Sequence, residues 1–356
     1  MDRILEWYGA DNYHARLETV RRFWTGEGRH LVSLSTTQHN YRQTFDDETM
    51  LREAPHQLQY MAGLPGLNLP AFLADFGTIS TARYWGGTPR FDSTGDNIFL
   101  DPVTDRLDDA LARTPLPVDQ PDLDAARGLR LFHRLCESLQ TDCLWLRTPD
   151  MQGPLNTAGM ILNQEELFVN LHLQPADVHR FLDNVTSFLI DYATFLRNGA
   201  QGRICGNIWP YTFLPADLGV SLTEDMMPLL SAELYAEFAL PTLKRLAGEL
   251  GSLLIHCCGE WGRHARTLAE SGVPVCGAEY HYPWTTVKEL LPLTETGTVL
   301  IPMIKPDKQD RFTGIVDYYR YLLKEFGNDV RFWFCLFEDV PGALAFAREW
   351  DASQPS

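Results

Sequence analysis

Ser252-Leu-Leu-Ile-His-Cys-Cys-Gly-Glu260 is an apolar run of strand length that ends in His-x-Cys and a glycine turn. Side chains on a strand alternate between its two faces, so residues two apart point the same way. His256 and Cys258 therefore aim at one point, and Cys257 aims away from it. An imidazole and a thiolate converging at a strand end make a half-site for zinc. A third soft ligand would complete a catalytic site with one position left open for substrate. Cys335 ends another apolar run, Val330-Arg-Phe-Trp-Phe-Cys335, and is the candidate third ligand. The competing reading is plain packing, with a satisfied histidine and buried thiols.

Similar apolar runs recur along the chain. Candidate strands are Leu31–Thr36, Ala71–Phe76, Cys143–Arg147, Ile204–Trp209, Ser252–His256, Val273–Ala278, Thr298–Ile304 and Val330–Phe334. Short continuous apolar runs are how strands buried on both faces read. Helical patterns lie between them. Ser231 is placed to cap a helix over Ala232–Glu249, with Tyr235, Phe238, Ala239, Leu243, Leu246 and Leu250 on one stripe. Pro175 opens a helix running to Arg197. Thr285–Leu293 and Phe312–Phe326 also read as helices, and Gly327 is placed to end the latter. Eight strands alternating with helices predict an α/β fold, a (β/α)8 TIM barrel filling 1–356 as a single domain. An N-terminal helical extension precedes it, and 88–127, rich in Asp, Pro and Gly, reads as an insertion. A doubly wound open sheet is the rival architecture. In a barrel, sites form at the carboxyl ends of strands, where His256, Cys258 and Cys335 all lie.

Composition narrows the function classes. The 356 residues carry a net charge of −17, which argues against a nucleic-acid partner. There is no apolar run long enough for a membrane span, and the N-terminus lacks a signal-peptide core. The simplest expectation is a soluble, cytoplasmic protein. Seven cysteines, an odd number in a chain without an export signal, argue against a disulfide framework. Cys136, Cys143, Cys205 and Cys276 read as small buried apolar residues.

Two segments carry a family resemblance. Glu233-Leu-Tyr-Ala-Glu-Phe-Ala-Leu-Pro241 followed by Leu254-Ile-His-Cys-Cys-Gly259 resembles the uroporphyrinogen decarboxylase superfamily. Gln152-Gly-Pro154, Glu165, Glu166 and Pro175-Ala-Asp-Val-His179 fit the middle region of that family. Decarboxylases of the superfamily carry a second arginine after the first strand to grip porphyrinogen carboxylates. Here Tyr41-Arg-Gln-Thr-Phe-Asp46 supplies only Arg42, and acidic Asp46 and Asp47 follow. The chain is more similar to the branch of zinc-dependent methyltransferases. That branch moves methyl groups between a corrinoid (cobalamin) protein and a thiol such as coenzyme M. The resemblance implies zinc on His256, Cys258 and Cys335, the last seventy-seven residues beyond Cys258. As partners it implies a corrinoid protein or free methylcobalamin and a small thiol acceptor. A homodimer is a further candidate assembly.

Carboxylates and aromatic residues at other strand ends complete the expected site. Asp75, Glu279 and, more weakly, Asp217 are candidate catalytic residues: the resemblance implies a site aspartate at Asp75, while Asp217 and Glu279 follow candidate strands. Each also reads as a loop acid or helix cap. Trp209, Tyr211 and Tyr280, with Tyr282 and Trp284, could wall a cavity for a corrinoid, or simply pack the rim. His39, His264 and His281 lack a paired ligand at metal spacing and read as surface or rim residues. Two alternatives stand beside the methyltransferase reading: a metal-free, uroporphyrinogen decarboxylase-like carboxy-lyase, and a non-catalytic homologue that binds a corrinoid protein.

Overall fold

The computed structural model describes residues 1–36, 46–74, 76–206 and 212–354. Its strands are β1 (His30–Ser35), β2 (Ala71–Leu73), β3 (Pro89–Phe91), β4 (Ile98–Leu100), β5 (Trp145–Arg147), β6 (Ile204–Gly206), β7 (Leu214–Pro215) and β8 (Gly219–Thr223). They continue with β9 (Ser252–Cys257), β10 (Val275–Tyr282), β11 (Val299–Ile304) and β12 (Phe332–Phe337). One arc has the order β1-β12-β11-β10-β9-β8, and a second has β2-β5-β6-β7. Every pair in the first arc is parallel. A backbone bond from Leu67, which leads into β2, to Val32 of β1 (2.7 Å) joins the arcs at one seam. At the other, Gly206 lies so close to Ser221 that a Cβ there would sit 2.9 Å from its Oγ. The arcs form the wall of a (β/α)8-type barrel, as the alternating runs predict.

The expected pattern departs from the structure between Ile204 and Ser252. Antiparallel β7 and parallel β8 stand there without a helix between them. The Ser and Thr of Gly219-Val-Ser-Leu-Thr223 disguise β8 as loop, but all five residues are buried. A second departure is length. β10 runs on to Tyr282, past the expected end at Ala278, and so carries Glu279 and His281 within the sheet.

Helices cover the wall as their sequences dictate. The Ser231 hydroxyl accepts from the Leu234 amide and starts the helical stretch that leads to Leu250. A π-helical turn, Tyr235–Ala239, interrupts it beside Pro241, which has no amide hydrogen to donate. The predicted stripe is buried: Leu243, Leu246 and Leu250 are at most 2% exposed. Each contributes roughly 1.5–3 kcal/mol of burial. The helix Pro175–Gly199 starts at its proline, and Gly327 caps Ile315–Phe326. In the insertion, β3 and β4 form an antiparallel hairpin. Val103 and Thr104 then bond back to Ile161 of the wall layer at 2.8 and 3.0 Å.

The N-terminal helix Ala10–Trp24 closes the amino end of the barrel. Trp24 stacks on Trp333, with centroids 5.4 Å apart, and donates to the Phe213 carbonyl at 2.7 Å. Arg21 pairs with Asp217 at 2.6 Å. Asp217 precedes β8 and is held at this closed end, which removes it from the candidate site at the opposite mouth. Among the described residues, no helix is long and apolar enough to cross a membrane.

His30 begins β1 on its helix-facing side, with ring centroids 5.8 and 6.0 Å from Phe332 and Phe334. Burial holds its pKa down near 4, although the Gly327 carbonyl opposes the shift. A depressed folded-state pKa contributes stability that is present above the unfolded value of about 6.5 and is lost as pH falls through 4. His30→Gln is therefore expected to flatten the decline in thermal midpoint between those pH values. Parallel midpoint curves for wild type and variant would contradict this.

Candidate metal centre

β8, β9 and β10 lie side by side, and their register sets the site. Thr223 pairs with His256, and His256 pairs with Glu279. Paired residues share a face, so all three point into the barrel, as does His281 two residues further on. The fully buried Glu279 carboxylate bridges two imidazoles. One oxygen meets Nδ1 of His256. The other lies 2.8 Å from Nε2 of His281. With its Nδ1 proton donated to Glu279, His256 presents an Nε2 lone pair on its other side.

Asp225 and Cys258 stand on that other side. The Asp225 Oδ1 is 3.7 Å from His256 Nε2. It also accepts the Cys258 amide at 2.8 Å. One ligand atom each from Asp225, His256 and Cys258 falls within 4.8 Å of the others. His256, Glu279 and His281 form a second such group, which shares His256. Asp225 stands two residues beyond the end of β8, so missing that strand hides it in the sequence. The acid pair Glu224-Asp225 after Val220-Ser-Leu-Thr223 was the available signal.

The electrostatics of the centre favour a cation. Burial disfavours the imidazolium form of His256, with Asp225 opposing, so burial favours a neutral ring with a lone pair to offer. Burial and then Asp225 push the Cys258 thiol up to about 11. A nearby cation would reverse that, because a coordinated thiol gives up its proton. Neutral imidazole, thiolate and carboxylate are a donor set that zinc accepts, and a carboxylate behind the ligating histidine is its usual support. The residues therefore fit zinc.

Glu224 is a further residue that the sequence reading missed. It is 1% exposed, and among the described residues neither carboxylate oxygen has a hydrogen-bond partner. Burial raises its pKa to about 8, and Asp225 adds to the shift. Its amide donates to the His256 carbonyl at 2.8 Å. Gly153 leaves space for its carboxyl group, which a Cβ there would strike.

The other expected site residues are placed as follows. Cys335 faces inward on β12, in register with Ser33. Its sulfur lies 3.5 Å from the hydroxyls of both Ser33 and Thr212. It belongs to neither ligand group, and Asp225 takes the third place beside His256 and Cys258. Tyr280 falls on the outer face of β10, fully buried, with its hydroxyl 2.9 Å from that of Tyr318 in the helix layer. Alternation next to the inward Glu279 puts it there, so it does not wall the mouth. His281 and His264, expected at the surface or rim, are both buried; His264 Nε2 is 2.9 Å from the Met227 carbonyl. Cys257 is fully buried, as alternation predicts for a residue aimed away from the site. Asp46 caps the helix Asp47–Ala62, and Asp47 pairs with Arg127 at 2.6 Å. Asp75, Trp209, Tyr211, His39 and Arg42 lie outside the described residues.

The chain is similar to known proteins over parts of its length and in its fold. A 126-residue stretch is 28% identical to the methylated-thiol–coenzyme M methyltransferase of Methanosarcina mazei, covering 35% of this chain. The matched stretch spans 30% of that relative's length. A solved methyltransferase from Methanosarcina mazei shares the fold, with a TM-score of 0.67 at 15% identity over 95% of this chain and 98% of the other. The uroporphyrinogen decarboxylase (URO-D) family model matches residues 150–306, from Asp150 through β11. The stretch matched by the uroporphyrinogen decarboxylase family model takes in Asp225, His256 and Cys258, and both relatives described above are methyltransferases by name.

Proposed function

We propose that this chain is a zinc-dependent methyltransferase that moves a methyl group from a corrinoid (cobalamin) carrier to a thiol. The observation that carries the proposal is the meeting of Asp225, His256 and Cys258 at the barrel mouth, with Glu279 behind the histidine. The named activity of the Methanosarcina mazei relative supports the same chemistry. Zinc held there would supply the positive charge that lets a bound thiol lose its proton near neutral pH. Glu279 fixes the tautomer and the aim of His256. His281 pins the other oxygen of Glu279, so the carboxylate cannot swing away. Asp225 ties the Cys258 backbone to the end of β8, holding the thiol beside the imidazole. The methyl carrier is a corrinoid protein or free methylcobalamin, and the enzyme works as one barrel unit in the cytoplasm. The net charge of −17 fits a small-molecule or protein partner better than nucleic acid.

The test combines composition and turnover. Purified protein is expected to hold close to one zinc per chain by mass spectrometry. With methylcobalamin and a panel of thiols, it is expected to demethylate the cofactor, seen as a change in its visible spectrum. If no thiol reacts while a carboxylic acid substrate releases carbon dioxide, the carboxy-lyase reading replaces this one.

A further inference from the structure

A groove of about 780 Å³ runs between the helix Pro175–Gly199 and the strap 113–119 of the insertion. It shares no residue with either metal-ligand group. Its helix wall repeats every seven residues. Asn184 is followed by Asp191 and Asn198, Ser187 by Thr194, and Phe188 by Phe195. Seven residues are close to two helical turns, so each set forms a row with members about 10.5 Å apart. Asn184, Asp191 and Asn198 are exposed, and their side chains have no hydrogen-bond or ion-pair partner among the described residues. The phenylalanine row is sunk beside them: Phe188 is buried and Phe195 half-buried. The opposite wall is fixed. Leu116 donates its amide to the Tyr84 carbonyl at 2.7 Å, and the Tyr84 hydroxyl donates to the Val118 carbonyl at 3.4 Å. Pro115 and Pro117 stiffen the strap. The Tyr84 ring packs on Phe188 with centroids 4.9 Å apart, so strap and helix are held at a set separation.

Each asparagine side chain offers both an acceptor and donors, which match the N–H and C=O of a peptide backbone. From Asn184 to Asn198 the row spans about 21 Å, roughly six residues of extended chain. Asp191 stands midway between the two amides, and Asp119 adds a second acid on the strap. Arg113 is the single cation among the lining residues, so the groove is net negative on a chain of net charge −17. We infer that this groove binds an extended peptide segment carrying a lysine or arginine. Asn184 and Asn198 take its backbone, Asp191 takes its cation, and the Phe188–Phe195 row takes its apolar side chains. A linear oligosaccharide is the rival occupant, because amides also pair with hydroxyls, but it leaves the charge of Asp191 unanswered. The groove lies in the helix layer outside the barrel wall, and the inference is independent of the methyltransferase reading.

Random heptapeptides displayed on phage and selected against the full chain are the probe. The enriched sequences are expected to carry a lysine or arginine flanked by apolar residues. Synthetic copies should bind Asp191→Lys about 10-fold or more weakly than wild type in calorimetry. The double variant Asn184→Ala, Asn198→Ala should lose about 10-fold for every such peptide whatever its sequence, because the lost contacts are to backbone. Selection repeated on Asp191→Lys should enrich aspartate or glutamate in place of the cation, a reversal that a merely structural role of Asp191 would not produce. Circular dichroism checks that each variant is folded. A selection that yields no peptide dependent on Asp191, or a charge preference unchanged on Asp191→Lys, would overturn the inference. So would binding of cellohexaose or maltohexaose that depends on Asn184 and Asn198.

Discussion

Cys258→Ala is expected to abolish zinc retention and methyl transfer while leaving the barrel folded. The hydrogen bond from the Cys258 amide to Asp225 runs through the backbone, so alanine keeps it, and only the thiol's own contact with Asp225 goes. Cys258 also lies beyond the last residue of β9 and is only half-buried, so truncation opens little cavity. What is lost is the sulfur. Loss of a first ligand should exceed the roughly 10- to 100-fold drop in affinity that follows loss of a supporting hydrogen bond. Mass spectrometry of the purified variant measures the metal, and circular dichroism checks the fold. A folded Cys258→Ala protein with wild-type zinc would remove the residue from the centre.

The second large effect is expected at Glu279. Glu279→Ala leaves His256 Nδ1 and His281 Nε2 facing a cavity in place of a shared carboxylate. The imidazole of His256 then loses both its fixed tautomer and its aim. Zinc affinity is expected to fall about 10- to 100-fold, measured by competition with a chromophoric chelator. Glu279→Gln should fall less, because its amide oxygen can still accept from His256. Its amide nitrogen would face His281 and force the proton onto Nδ1, a buried atom with no hydrogen-bond partner among the described residues. The order wild type, Gln, Ala is the signature of a carboxylate that orients a ligand. Unchanged affinity in Glu279→Ala would assign it a packing role.

The half of the site on β9 was legible because alternation is a local rule. Leu253, Leu254, Ile255 and Cys257 are buried, and His256 and Cys258 come together as two-residue spacing requires. Asp225 was not legible, because its strand does not look like one. Ser221 and Thr223 are buried hydroxyl residues. Thr223 donates to Asp150 at 3.1 Å, and Ser221 packs against Gly206. Such contacts depend on distant chain and leave no periodic trace. Glu279 was a candidate from the sequence, but its place within the sheet, and the inward aim of His281, were hidden for a related reason. Polar residues alternating with Tyr280 and Tyr282 resemble a loop until the strand is known to continue. Cys335 shows the limit of the alternation rule. The rule places its side chain inside, where it is, but depth along the barrel axis depends on strand stagger. That stagger sets Cys335 against Ser33 and Thr212, not against His256.

The central claim is that Asp225, His256 and Cys258 hold one zinc ion at the mouth of the barrel. X-ray absorption spectroscopy at the zinc edge of the purified protein tests it most directly. The account predicts a single sulfur at about 2.3 Å, with nitrogen and oxygen neighbours at about 2.0–2.2 Å. Two sulfurs would bring Cys335 or Cys257 into the shell in place of Asp225, and a zinc-free protein that retains full activity would contradict the centre altogether.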